Sequence, residues 1–400
     1  MSVMERKKSR WTLYAALSLV GLAMFLYGAV GESAGRAWLA YLINFLFWSA
    51  VAQGGLLFSA IMTTVRARWS GPLEGVSQAF VAFFPISFVL FLLLFLGSTH
   101  IFPWLHDHHL HGKEAWLNVP FLFARDTVGL LILYLLGMAY VYHGLLLKLE
   151  PNRAEGFLRS AVRRLRGDRA LDRDRVTGRM RAIGIAYIAA FAVVLSLIGM
   201  DLVMAADPHW VSTLFGPYTF VKAFYIGLGG LIIVAAVLHL RPDSGFSLAE
   251  SQLHDVGKLF FAFCLVWADF FYVQLVVIWY GNIPEETAYV IERTMMVPWK
   301  GLAWIILTVC FLVPFFVLLN KRVKTMPRSM IGLCSLVLAG IWLEHLLLLG
   351  SPLTHSAHAL PLGASDVLIS LGFLGLMLMA VSFFLKEFPE LTRVERRETA

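Results

Sequence analysis

The stretch Leu253–Glu286, LHDVGKLFFAFCLVWADFFYVQLVVIWYGNIPEE, decides the fold class. It opens on an amphipathic turn (Leu253, His254, Asp255) and a Gly257–Lys258 step, then runs through mostly apolar residues to a Gly-Asn-Ile-Pro turn closed by Glu285 and Glu286. A run of roughly two dozen apolar residues, rising about 1.5 Å per residue as a helix, crosses a bilayer. Asp269 stands in its middle. A charge near the bilayer centre costs about 2.5–3.5 kcal/mol on insertion scales, so such residues ordinarily face a protein interior. Lys258, Leu265, Asp269, Tyr272, Val276 and Tyr280 recur at steps of three, four and seven, which predicts a single stripe facing inward.

The rest of the chain repeats that character. Of its 400 residues 59% are hydrophobic and only 15% charged, where soluble domains carry about 25% charged residues. The composition predicts an all-α polytopic membrane protein. Cys264, Cys310 and Cys334 each sit inside an apolar run without CxxC spacing, so the sequence presents no disulfide framework, zinc motif, iron–sulfur motif or CxxCH haem attachment. No redox centre held by its own ligands is expected. The first apolar run is long enough to span and is followed at once by another, which predicts a retained helix in place of a cleaved signal.

Ten apolar runs read as spans: Trp11–Val30, Ala37–Val65, Gln78–Leu96, Thr127–Leu147, Ala182–Ala205, Pro217–His239, Val256–Tyr280, Val297–Leu319, Met330–Leu349 and Val367–Leu385. Alternate loops share their basic residues very unequally. Residues 1–10, 66–77, 148–181, 240–255, 320–329 and 386–400 hold 26 Lys/Arg between them, eleven in 148–181 alone. The opposite loops hold only Arg36, Lys113, Arg125, Arg293 and Lys300. Because Lys and Arg accumulate on the cytoplasmic side, both termini are expected there. The net charge of +7 is concentrated in that one loop. It therefore points to no nucleic acid; the VRRLRGDRALDRDRV run reads as an amphipathic helix or disordered loop at an anionic lipid surface. The outer loops carry His100, His106, His108, His109 and His111, then His355 and His358. HDHHLH lacks the fixed spacing of a dedicated metal site and reads better as a docking surface.

Three segments carry a family resemblance. They are AQGGLLFSAIMTTVRARWSGPLEGVSQAF, the Asp201–Tyr218 segment with its D-x-x-M…D-P-x-W-x-S-T pattern, and LHDxGKLxFAFxxxWAxFxxxQxxxIWYGNxPEE. Together they resemble the F-type membrane subunit of alternative complex III, a bacterial quinol:cytochrome c oxidoreductase. That subunit belongs to the polysulfide-reductase/nitrite-reductase membrane-anchor superfamily. The resemblance implies two four-helix bundles with flanking helices in the bacterial inner membrane. It also implies a sister NrfD-like quinol-oxidising subunit, extracytoplasmic iron–sulfur and multihaem cytochrome c partners, and a quinone or menaquinone as the only cofactor in reach. The alternatives are the membrane anchor of a polysulfide- or nitrite-reductase-type complex and a stand-alone ion or solute transporter; ten spans with intramembrane acids suit the transporter equally on physics alone.

The candidate residues each have two readings. Asp201, near the outer end of the fifth span, either takes up the proton released on quinol oxidation or is a hydrogen-bonded helix-end carboxylate. Asp269, with Tyr272 and Lys258, is either a mid-membrane proton relay or half of a structural ion pair. Glu344 and His345 are adjacent, so they point about 100° apart and cannot face one cavity squarely; one is a relay candidate and the other a helix–helix bond. Lys222 is a candidate counter-ion to Asp201 or to a quinone oxygen, or else snorkels to the outer surface. Asp201, Lys222 and Trp210 are the candidate quinone contacts. His143 and His239, near inner span ends, could ligate a haem b, but interfacial hydrogen bonding suits them better.

Overall fold

The computed structural model describes residues 3–31, 33–106, 112–149, 156–167, 171–354 and 359–393, with side chains from Arg10 onward except that of His106. The histidines 108, 109, 111, 355 and 358 lie outside them. The described chain is helical, with ten helices long and apolar enough to cross a membrane. The protein is an all-α polytopic membrane protein. The spans are α1 (Val3–Val30), α2 (Ala34–Thr64), α3 (Gly71–Ile101), α4 (Val119–Lys148), α5 (Arg173–Leu202), α6 (Phe215–His239), α7 (Glu250–Gly281), α8 (Trp299–Leu319), α9 (Pro327–Leu353) and α10 (Ala364–Glu387). An even number of crossings puts the start of α1 and the end of α10 on the same side, here the near end.

Several helices begin well before their apolar runs. α4 starts at Val119, where Asn118 Oδ1 accepts the Phe121 amide at 3.2 Å. α5 starts at Arg173, capped by Asp172 Oδ1 on the Arg175 amide at 3.1 Å. Such caps satisfy the free amides of a first turn whatever its polarity, so the charged first turns are helical although no hydropathy signal marks them. α4 therefore carries Arg125 and Asp126 inside a helix, not in the preceding loop.

Helices α2–α5 pack as one four-helix bundle and α6–α9 as a second, while α1 and α10 pair with each other along the flank of α2 and α3. The bundles meet through α2 and α6. Of their apolar stretches 83% and 78% is buried, against 11% for α1 and 17% for α7, which identifies α2 and α6 as the central pair. Their backbones touch where Gly54 meets Gly227: a Cβ on Gly54 would lie 2.2 Å from the Ala223 carbonyl oxygen, and one on Gly227 2.3 Å from the Gly54 carbonyl carbon. Only glycine permits that crossing, the usual device for close helix packing in lipid. α9 is tied to α2 by the Trp342 indole, which donates to Asn44 Oδ1 at 3.0 Å.

Two helices are irregular. α3 passes through a 3₁₀ turn at Ala79–Phe83 ahead of Pro85, and α8 through a π turn at Thr308–Leu312 ahead of Pro314. A proline has no amide hydrogen to give the preceding turn. The Cys310 carbonyl, four residues before Pro314, instead accepts from the Tyr225 hydroxyl at 3.2 Å.

At the near end part of the basic loop forms a helix over Phe157–Arg166, which takes in only the first five residues of the VRRLRGDRALDRDRV run. Arg159 is buried there and donates to both Glu390 carboxylate oxygens, at 2.5 and 2.7 Å. Glu387 accepts the Leu158 amide at 3.1 Å, so the loop is latched to the turn after α10.

Candidate functional site

Three buried side chains meet in the far half of the second bundle. Tyr218 and Lys222, one turn apart on α6, share a face, and Glu344 of α9 lies opposite. Glu344 Oε1 accepts from the Tyr218 hydroxyl and from Lys222 Nζ, the latter at 3.0 Å. Glu344 Oε2 is buried without a hydrogen-bond partner among the described residues. Lys222 is thus the counter-ion of Glu344, not of Asp201, and it does not snorkel: its side chain is 4% exposed. A buried pair of this kind stands only while both charges remain, because removing one leaves the other uncompensated.

His345 turns away from Glu344, as the adjacent spacing requires. Its Nδ1 lies 2.8 Å from the Ile341 carbonyl. A carbonyl only accepts, so Nδ1 carries the hydrogen and Nε2 is left for other work. His345 and Lys222 both line a small cavity of about 30 Å³ between the bundles, walled elsewhere by apolar side chains, by Ser49 and Gln53 of α2 and by Thr219 of α6. Its size suits about one water molecule.

Beyond the cavity a chain of neutral polar groups runs through the first bundle. Gln53 Nε2 donates to the Tyr134 hydroxyl at 2.8 Å. Tyr134 pairs with Ser87 at 2.7 Å, and Ser87 with Ser49 at 2.5 Å. About two turns nearer the near end, Tyr140 bonds Ser59 at 2.8 Å and Thr63 at 2.7 Å, and Gln78 Nε2 reaches Ser59 at 3.2 Å. The two clusters are six residues apart on both α2 and α4, a rise of about 9 Å. Gln53 Oε1 and Gln78 Oε1, one in each cluster, are buried acceptors with no partner among the described residues. Glu74 follows at the near end, held by Ser70 Oγ at 2.5 Å. None of these groups was singled out in the sequence. The usable signal was the four-residue spacing of Ser49 with Gln53 and of Ser59 with Thr63, which puts each pair on one side of α2.

Asp201 sits at the far end of the first bundle and is fully buried. Arg125 grips it at two points, Nε to Oδ2 at 2.6 Å and Nη2 to Oδ1 at 2.7 Å. The Trp116 indole adds a third bond to Oδ1 at 2.9 Å, and the guanidinium lies 4.0 Å over the Trp116 ring. Asp126, also fully buried, lies against Asp201, and neither of its oxygens has a hydrogen-bond partner by distance and angle among the described residues. The sequence points to Asp201 but conceals Arg125 and Asp126, because both look like loop residues ahead of an apolar run.

Trp210 belongs to a third group. Its ring stacks on Tyr289 at 3.8 Å and 6°, and the Arg293 guanidinium covers the other ring contact of Tyr289 at 3.5 Å. Arg293 pairs with Asp207 at 3.5 Å. Burial pushes the Tyr289 phenol up to about 12 although Arg293 pulls the other way, so it is a neutral hydroxyl at physiological pH. Asp201 and Lys222 therefore each have their own ion partners, while the buried Trp210 indole Nε1 has no hydrogen-bond partner among the described residues.

The predicted facing of the α7 stripe is reversed. Lys258, Leu265, Asp269, Tyr272, Val276 and Tyr280 are all exposed, and the helix turns Val256, Phe260, Cys264, Trp267 and Ile278 to its bundle. Cys264 reaches the Cys310 carbonyl at 3.5 Å on that inner side. Lys258 pairs locally with Asp255 at 3.2 Å. His239 Nδ1 accepts the Leu248 amide at 3.1 Å, and His143 Nδ1 lies 2.7 Å from the Ala139 carbonyl, both interfacial hydrogen bonds.

No protein-family profile matches the chain, and no curated protein matches it.

Proposed function

We propose that this chain is the redox-centre-free membrane subunit of a quinol:cytochrome c oxidoreductase of the alternative complex III type, and that its own task is to carry protons along the polar chain between its bundles. The observation that carries the reading is the sequence of buried groups from Tyr218, Glu344 and Lys222, across the cavity lined by His345 and Gln53, to Tyr134, Tyr140 and Glu74. Acidic, imidazole and hydroxyl groups each accept and release a proton, and here they follow one another through the bundle interiors. Asp126 and Asp201 form a separate buried carboxyl pair beside Arg125 at the far end. The six-residue interval between the hydroxyl clusters is the step at which a side-chain rotation or a water must intervene.

The family resemblance of three separate segments supplies the setting. Quinol is oxidised beside a sister NrfD-like subunit, and iron–sulfur and multihaem cytochrome c subunits take the electrons. The setting is the bacterial inner membrane, with both termini cytoplasmic by the Lys/Arg distribution. For quinone contact, Asp201 and Lys222 are already paired with Arg125 and Glu344, which leaves the unpartnered Trp210 indole as the free donor among the three. A stand-alone transporter is expected to break corresponding helices in its two halves. Here the breaks fall in the second helix of one bundle and the third of the other.

The test is the proton-to-electron ratio of the purified complex in sealed vesicles. Glu344→Gln and Tyr140→Phe are expected to retain c-type haem absorbance and electron transfer while lowering the ratio. An unchanged ratio in both assembled variants would remove the polar chain from proton movement, and a colourless lone polypeptide on mild purification would overturn the complex itself.

A further inference from the structure

The outward face of α7 is not an ordinary lipid face. Lys258, Ala262, Leu265, Asp269, Tyr272, Val276 and Trp279 follow one another along it at alternating steps of four and three, and every one is exposed. Any exposed side of a helix has that spacing; what sets this one apart is its content. Asp269 lies about 16 Å from either end of the apolar run Leu259–Tyr280. Among the described residues it is the only exposed carboxylate in the middle of a span, and no hydrogen bond or ion pair engages it. The neighbouring α8 supplies the contrast. Past its first turn, where Lys300 is exposed, the exposed residues Trp304, Ile305, Thr308, Leu312, Phe316 and Leu319 carry no charge, a face that lipid alone can solvate.

An acid at that depth needs a partner, and this polypeptide does not provide one. A second copy of the chain, packed about the same face, would set Asp269 against Asp269. We propose that the α7 seam is the docking site for a transmembrane helix of a different polypeptide, which brings a lysine or arginine to the depth of Asp269. The groups around Asp269 suit such a helix. Ala262 leaves room for close approach on the near side, and Tyr272 offers a further hydroxyl one turn beyond. Trp279 and Tyr280, 77% and 86% exposed, mark the far interface where aromatic rings anchor. This assignment stands independently of the proton chain, which lies in the opposite direction from α7.

The experiment places a photo-crosslinking amino acid at Val276 or Ala262, with Phe316 of α8 as control, in native membranes. The expected product is an adduct at both α7 positions, absent at Phe316, whose partner peptide is a membrane span containing Lys or Arg. Asp269→Leu is expected to lower the adduct yield by about tenfold, the range of a lost interhelical polar bond. Exchanging the charges, Asp269→Lys here and the basic residue to Asp in the partner, is expected to restore it. Adducts with lipid alone, adducts with a second copy of this chain, or an unchanged yield in Asp269→Leu would each overturn the proposal.

Discussion

Asp201 and Asp269 are both carboxylates in apolar helices, and their surroundings are opposite. Asp201 closes the far end of α5 under two guanidinium bonds and an indole bond. Asp269 projects from the middle of α7 with nothing of its own chain against it. The difference teaches that an acid at lipid depth signals a need for a partner without saying which molecule supplies it. In the first bundle the fold supplies it; on α7 the fold stops short.

That contrast can be broken at the Asp201 end first, where the largest effect is expected. Arg125→Ala leaves two buried carboxyls without their cation, a loss of about 3–5 kcal/mol for a broken buried pair. Thermal unfolding of the detergent-solubilised chain should show a sharply lowered midpoint or no folded material; an unchanged midpoint would mean that the guanidinium is dispensable. A purely steric control comes next. Gly227→Ala drives a methyl into the Gly54 backbone and should destabilise by about 1–3 kcal/mol, the range for overpacking, read in the same unfolding assay. The smallest effect belongs to α7. In the isolated chain Asp269→Leu should shift stability by no more than about 0.5 kcal/mol, as at a surface site. A loss comparable to that of Arg125→Ala would place Asp269 in an intramolecular contact and erase the distinction.

The ten helices were legible because length and hydropathy suffice for a membrane span. Facing was not legible for α7. Putting polar residues inside assumes that everything outside is lipid, and the rule inverts where a helix presents its polar stripe outward. Asp201, Glu344, His345 and Lys222 were recognisable as buried because charge in an apolar run is conspicuous. Arg125 and Asp126 were hidden by a helix that begins eight residues before the apolar run expected at Thr127, under an Asn118 cap. Ser49, Ser87, Tyr134 and Tyr140 were hidden for another reason: hydroxyls are cheap to bury once paired, and the pairing joins α2, α3 and α4, which no local pattern reveals.

The pairing of α1 with α10 has its own consequence for how the molecule is made. A Cβ on Gly21 would lie 2.5 Å from Gly372 Cα, so α1 finishes its packing only once α10, made about 340 residues later, is in place. Until then α1 waits in lipid with only α2 for company. Chains cut short before α10 therefore keep both bundles but leave an open flank, a mark by which membrane quality control can tell an unfinished copy from a complete one.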